Sequence, residues 1–463
     1  MTRFFYLLAI FSYILTTLLP HRNLLNALLS LACLLAVVAS FRRAHGLAFL
    51  FGFSFIAGGT ALLMLNHKGL WSIALCFGNM IQLVTLFALI PILALPVQSG
   101  GYAGDVRGFI RSHVRGSGRL YVLTSCVAYF FSSFMNLAAL PLSYRAIAPS
   151  VQETVVPDKK RYLSRAITHG YAMPLLWSPI TPIVGTVLEL TSTPYTRILP
   201  FLIALSAIGL LIDWLTGLPL VHLLRSSTHA KKSTNETAAA AAPTGNYSMF
   251  RLLHIVLAVL ILNGLVTALQ HELPVSFLFL VSLLVIPFAG CWSLLIGQVR
   301  SFSRQVGQHF LTYIPTMQNQ FFIFLSAGFF ITALHISGAD HTVTGWMNEV
   351  IAFSGTRGFL ALLPLIPFAL AFFGLHPAVA LALVSTSIHS EILHQAPVAV
   401  TVAMLGGAVP AFLMGPYNAT LGMMSGLVGE KPLRLSNWNF KFTVAYLAGL
   451  TLFIQLLYIA FNS

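Results

Sequence analysis

Ala172-Met173-Pro174-Leu175-Leu176-Trp177-Ser178-Pro179 interrupts an apolar stretch running from 166 to 190, and Pro182 and Gly185 follow within it. The stretch is long enough to cross a bilayer. No uninterrupted helix accommodates prolines at 174, 179 and 182, because each removes a backbone donor and crowds the preceding turn. It reads as a broken helix. A similar stretch lies about 240 residues further on: Ala408-Val409-Pro410-Ala411-Phe412-Leu413-Met414-Gly415-Pro416, inside 397–428. With one inserted residue, Pro179 matches Pro416 and Gly185 matches Gly422.

Each broken crossing follows another interrupted apolar stretch. In the first half this is 120–148, marked by Phe130-Phe131 and broken by Ser132, Ser133 and Asn136. Basic loops flank it: Arg107, Arg111, Arg115 and Arg119 before, and Lys159, Lys160, Arg161 and Arg165 after. A single span would put one loop outside, against the positive-inside bias. A re-entrant hairpin keeps both on one face. Its non-helical tip is tolerated where protein or a wet cavity surrounds it. In the second half 357–390 contains Phe372-Phe373 and is broken at Pro364, Pro367, Gly374 and Pro377. Loop charge gives the two halves opposite orientations.

Composition agrees. The chain has 463 residues, 57% hydrophobic and 8% charged, against roughly 25% charged in soluble domains. Lipid must replace water around most of it. The formal net charge of +14 sits in short loops, where it sets orientation and implies no nucleic-acid partner. Cys33, Cys76, Cys126 and Cys291 all lie in apolar runs without a C-x-x-C pair and read as buried small hydrophobes.

Further spans are read at 4–20, 23–40, 47–65, 70–96, 197–220, 249–269, 274–296, 313–336 and 439–460. The first is read as a retained span, since no small-x-small cleavage site follows it. Residues 338–353, without Lys or Arg, read as an outside loop. Residues 222–248, with five consecutive alanines, read as a low-complexity cytoplasmic linker; the sequons at Asn235 and Asn246 would go unmodified there.

The expected fold is an all-α polytopic membrane protein with about eleven transmembrane helices plus two re-entrant hairpins in two inverted repeats. Its divisions are N-terminal helices 1–46, a first repeat 47–221, the linker 222–248 and a second repeat 249–463. The expected location is a bacterial inner or plasma membrane, N-terminus cytoplasmic and C-terminus external.

These features resemble the ion transporter superfamily, which includes divalent anion/sodium symporters, arsenite carriers and several sodium/proton antiporters. The resemblance rests on Phe131-Ser132-Ser133-Phe134-Met135-Asn136 ahead of Leu140-Pro141, and on Gly374-Leu375-His376-Pro377-Ala378 ahead of Ser385-Thr386-Ser387. It rests also on the breaks Ser178-Pro179-Ile180-Thr181-Pro182 and Gly415-Pro416-Tyr417-Asn418-Ala419-Thr420. It implies elevator-type alternating access and a homodimer.

Broken helices leave free N–H and C=O groups at membrane depth, which suit anions and cations respectively. The expected substrate or ion ligands are therefore Ser132, Ser133, Asn136, Ser178, Thr181, Gly374, His376, Ser385, Thr386, Pro416, Asn418 and Thr420. The bland alternative is that the serines, threonines and asparagines only cap helix ends, and that His376 is a hydrogen-bonded interior histidine. Asp213, an acid inside an apolar span, is the coupling candidate; Arg145 either meets an anion or snorkels. Glu189 lies near the outer end of its crossing. His389, Glu391 and His394 read as a solvated cluster rather than a metal site, and no metal or cofactor is expected beyond a coupling sodium ion or proton.

The function expected is secondary active transport, by symport, of a small anionic solute, with lipid as surroundings. The alternatives are a sodium/proton antiporter, a membrane glycan or lipid-linked polymerase, and a lipid flippase. No H-E-x-x-H, G-x-S-x-G or P-loop pattern is present, which weighs against an enzyme.

Overall fold

The computed structural model describes residues 2–19, 23–113, 116–154, 156, 158–228, 248–385, 393 and 395–462. Every regular element among them is helical. Ten helical runs are long and apolar enough to cross a membrane, or eleven when the bent pair Asp340–Leu362 and Leu365–Phe372 counts as one. The chain is thus a multi-pass membrane protein, as its composition requires.

The N-terminal part comprises α1 (Thr2–Leu18), α2 (Asn23–Phe41) and α3 (Gly46–Leu65), then the irregular run α4 (Leu70–Ala74), α5 (Ile81–Leu89) and α6 (Leu95–Ser99). Next come α7 (Tyr102–His113), α8 (Ser117–Met135), α9 (Ala139–Gln152), α10 (Lys159–Ala172), α11 (Pro182–Thr191) and α12 (Tyr195–Thr228). The second half holds α13 (Met249–Glu272), α14 (Phe277–Leu295), α15 (Val299–Gln308), α16 (Gln318–Ser337), α17 (Asp340–Leu362), α18 (Leu365–Phe372) and α19 (Pro377–Ser385). It ends with α20 (Pro397–Met414), α21 (Ala419–Val428) and α22 (Pro432–Asn462).

Helical residues run without a gap from Ser117 to Gln152, yet the chain reverses within them. A straight rod from Ser117 to Arg145 would be about 42 Å long. Arg107, ten residues ahead of Ser117 and inside α7, nevertheless donates to the Arg145 carbonyl at 3.2 Å. The reversal falls at Asn136, a non-glycine residue with φ 48° and ψ −131°. The second pair, α18 and α19, packs side by side across a turn at Gly374, whose φ is 101°.

Contacts recur in the two halves. α10 lies on α8 and α20 lies on α18, while α9 packs on α21 and α19 packs on α11. In both halves a glycine permits the close approach. A Cβ on Gly170 would stand 2.2 Å from the Ser125 carbonyl oxygen, and one on Gly407 would stand 2.5 Å from that of Pro364. Small residues at helix crossings are how membrane helices gain close packing. All residues of α20 except Pro397 and Phe412 are buried, so the second broken helix is the interior of the bundle. By contrast α22 presents Phe440, Leu452 and Leu456 outward, as lipid requires. Elsewhere α16 inserts Phe322 and Phe329 against Gly52 and Gly59 of α3.

Four expectations need correction. Residues 338–353 are not a loop but mostly α17, which kinks at Gly355 (φ 68°); a polar segment without Lys or Arg has the composition of a loop yet keeps helix geometry. The segments 97–119 and 297–312 hold helices α7 and α15. The first broken crossing begins at Lys159 rather than 166, and Arg165, assigned to a basic loop, is buried at 2% exposure. The helix ending at 220 in the sequence reading continues to Thr228; the rest of the linker, to 247, lies outside the described residues.

Candidate functional site

The first hairpin tip is held by hydroxyl groups. Ser132 Oγ donates to the Tyr171 carbonyl at 2.7 Å, and Ser133 Oγ donates to the Phe130 carbonyl at 2.7 Å. From the first helix break, Ser178 Oγ donates to the Ser133 carbonyl at 2.6 Å. The Tyr171 hydroxyl donates to Asn136 Oδ1 at 3.2 Å and is within hydrogen-bonding reach of the Thr420 side chain. Ser132, Ser133, Asn136 and Ser178 are therefore brought together around Tyr171.

Proline explains the local shape. Pro174 starts a short 3-10 turn, and Pro182 sits at the first position of α11, where its missing N–H costs nothing. The carbonyl of Trp177 is taken up by the Tyr195 hydroxyl at 2.6 Å. Thr181 flanks the N-terminus of α11, yet its side chain makes no capping bond, and its hydroxyl is buried without a hydrogen-bond partner. A buried unpaired hydroxyl is costly.

At the second break Asn418 is structural. Its Oδ1 accepts from the Leu421 amide at 2.9 Å, and its Nδ2 donates to the carbonyls of Ala411 and Phe412 at 2.9 and 2.8 Å. It closes the carbonyl end of α20 and caps α21 at once. Pro416 lies between Gly415 and the exposed Tyr417. His376 immediately precedes α19 and accepts from the Ala378 amide through Nδ1 at 3.2 Å. Its ring stands edge-on to Phe87, Phe324 and Phe412, centroids 5.5, 5.1 and 6.3 Å away. Gly374 lies against Leu47 and Tyr417. Ser385 ends α19, and Thr386, His389, Glu391 and His394 lie outside the described residues.

Asp213 is wholly buried, 2.6 Å from His169 Nδ1, and its Oδ1 also accepts from the Tyr121 hydroxyl at 2.7 Å. The other ring nitrogen, Nε2, is 3.0 Å from Asn439 Oδ1. Sequence reading named Asp213 and missed His169. The available signal was Arg165 and His169 four residues apart, hence on one helix face, leading into an apolar crossing.

Arg145 is exposed, matching the snorkelling alternative. Glu189 accepts from Gln82 Nε2 at 2.7 Å and borders a cavity of about 460 Å³ with Thr193 and Gln270. Among the described residues no group of three or more His, Cys, Asp or Glu side chains could hold a metal ion.

The sequence matches no family model and no curated protein sequence. The structure is similar to the crystal structure of the YdaH transporter of Alcanivorax borkumensis, reported to have an unusual topology. The TM-score is 0.56 at 14% identity, over 93% of this chain and 98% of that one. At such identity the likeness is one of fold alone, and it does not single out the divalent anion/sodium symporters.

Proposed function

We propose that the protein is a secondary active transporter of a small anionic solute, driven by sodium ions or protons, working by elevator-type alternating access. The supporting observation is that the first helix break is bonded to the first hairpin, Ser178 to the Ser133 carbonyl and Tyr171 to Asn136, while α21, which begins at the second break, packs on the hairpin arm α9. Interrupted main chain from both halves thus lies along one hairpin. Broken helices of this kind supply dipole ends to solutes at membrane depth. In this reading the two halves are inverted repeats, and the hairpins and broken helices slide against a scaffold that includes α3 and α16. The assembly is a homodimer in a bacterial inner or plasma membrane, with the N-terminus cytoplasmic and the C-terminus external. Lipid covers the outward apolar faces.

Uptake by proteoliposomes of labelled mono- and dicarboxylates, with and without sodium or proton gradients, tests this. Gradient-dependent flux of an anion is expected. Flux of none of them under any gradient would remove the reading. Thr154→Cys should react with impermeant reagent from the cytoplasmic face and Gly345→Cys from the external face.

A further inference from the structure

We infer that His169 and Asp213 bind one exchangeable proton, and that its loss turns Asp213 away from His169 towards Arg165, making the pair a proton-coupling site. Only its use in transport rests on the carrier reading; the titration itself does not.

The position of the proton follows from the partners. Asn439 Nδ2 donates to the Leu413 carbonyl at 2.9 Å, and a carbonyl oxygen only accepts. The amide is thereby oriented, so Asn439 Oδ1 faces His169 Nε2 and accepts from it. Nε2 therefore carries hydrogen. On the other side Nδ1 lies 2.6 Å from Asp213 Oδ1. A neutral ring with its hydrogen on Nε2 would aim the Nδ1 lone pair at a carboxylate oxygen, which is repulsive at that distance. A second proton must lie between them, whether formally on the ring or on the acid. The pair thus holds one proton more than a neutral imidazole beside a carboxylate.

The surroundings oppose that proton. Arg165, 2% exposed and one turn before His169, acts electrostatically on both His169 and Tyr121. Its Nε and Nη2 are buried with no hydrogen-bond partner, and so is Asp213 Oδ2. With the proton the group Arg165, His169 and Asp213 carries +1; without it the sum is zero. Burial favours the neutral sum, whereas the 2.6 Å contact requires the proton. These opposed drives give two arrangements. When the proton leaves to solvent, the Nδ1 lone pair repels Asp213, and the carboxylate finds the unpaired guanidinium.

The other groups around the pair come from four helices. α8 supplies Tyr121 and Cys126, α10 supplies Tyr162 and, beyond Arg165, Arg161, and α22 supplies Asn439, Phe442 and Tyr446. α20 supplies only the Leu413 carbonyl, through Asn439. Arg161 Nε is also buried without a hydrogen-bond partner, but Arg165 is the cation that acts directly on His169. Phe442 stacks on the imidazole, centroids 4.1 Å apart, and keeps the ring in plane while its partner changes. His169 stands two residues before Tyr171, so release of α12 from α10 acts on the residue that holds the hairpin tip.

The test is infrared difference spectroscopy of purified, reconstituted wild-type protein, between about pH 5 and pH 9, where imidazoles titrate. Coupled imidazole and carboxyl bands should change together, and His169→Gln and Asp213→Asn should each abolish the change. Bands that do not move in the wild type overturn the site, as do bands that persist in both variants. Unmoving wild-type bands decide against the site even if a variant does not fold, and moving bands are assigned by whichever variant folds. In the same vesicles, flux driven by a pH gradient should be lost in Asp213→Asn. Titrating bands with flux indifferent to pH gradients overturn the coupling role. Absence of all flux with titrating bands fails the carrier reading and leaves the proton site standing.

Discussion

Ser178 Oγ donates to the carbonyl oxygen of Ser133 across 2.6 Å, binding the first helix break to the first hairpin. Both residues are buried, so water cannot replace the bond. Ser178→Ala should cost about 1–3 kcal/mol, the penalty for a buried acceptor that loses its donor. Thermal unfolding in detergent measures this. If the two elements carry solute together, initial uptake rate should fall as well, since the Ser133 peptide is no longer fixed.

Asn136 separates backbone from ligand chemistry. With φ 48° and ψ −131° it occupies a region that glycine enters freely and alanine does not. Asn136→Gly should fold as well as wild type, whereas Asn136→Ala should lose roughly 1–3 kcal/mol to strain. Both remove the acceptor for the Tyr171 hydroxyl. Uptake should therefore fall in both, while stability falls only in the alanine variant. Wild-type uptake by Asn136→Gly would show that the residue serves only the turn.

Proline and loop charge made much of the bundle legible. Pro174, Pro179 and Pro182 together signal a break, and the helix does break there, whereas the isolated Pro410 lies inside α20. The sequence places a hairpin tip at Ser132, Ser133 and Asn136, and the chain does reverse at Asn136. What stayed hidden depends on long-range contact. Nothing near His169 in sequence announces Asp213, 44 residues away, or Asn439, 270 away. Charge misled at Arg165, because a basic residue next to a loop signals water, yet the helix carries this one inside the bundle with Nε and Nη2 unpaired. Asn418 was read as a ligand, but its three backbone bonds make it a splice between helices.

Acidity should loosen one surface clasp. Lys160 Nζ and Arg434 Nη1 meet the two oxygens of Glu430 at 2.9 and 2.8 Å, tying α10 to the α21–α22 junction. The Lys160 hydrogen bond, and then Arg434, hold Glu430 below the usual carboxylate range despite the opposing effect of burial. A lowered folded-state value means the clasp contributes above the unfolded-state value and is lost as pH falls through the folded-state value. Thermal midpoints measured from neutral to acidic pH should therefore drop less for Glu430→Gln than for wild type. Salt should shrink the difference, because exposed ion pairs are screened.

The aromatic cage around His376 offers a direct test of sliding. Its ring lies 5.1 Å from that of Phe324 on α16, so one partner belongs to the hairpin and the other to the proposed scaffold. An elevator motion must separate them, whereas gating within a fixed bundle need not. With Cys33, Cys76, Cys126 and Cys291 replaced, the pair Phe324→Cys and His376→Cys can be joined by a short bifunctional thiol reagent. Cross-linking should arrest uptake, and reductive cleavage of the linker should restore it to the level of the unlinked pair. The unlinked pair controls for loss of the imidazole itself. Full uptake with the link in place would mean that the hairpin and α16 move together, and the sliding surface would have to lie elsewhere.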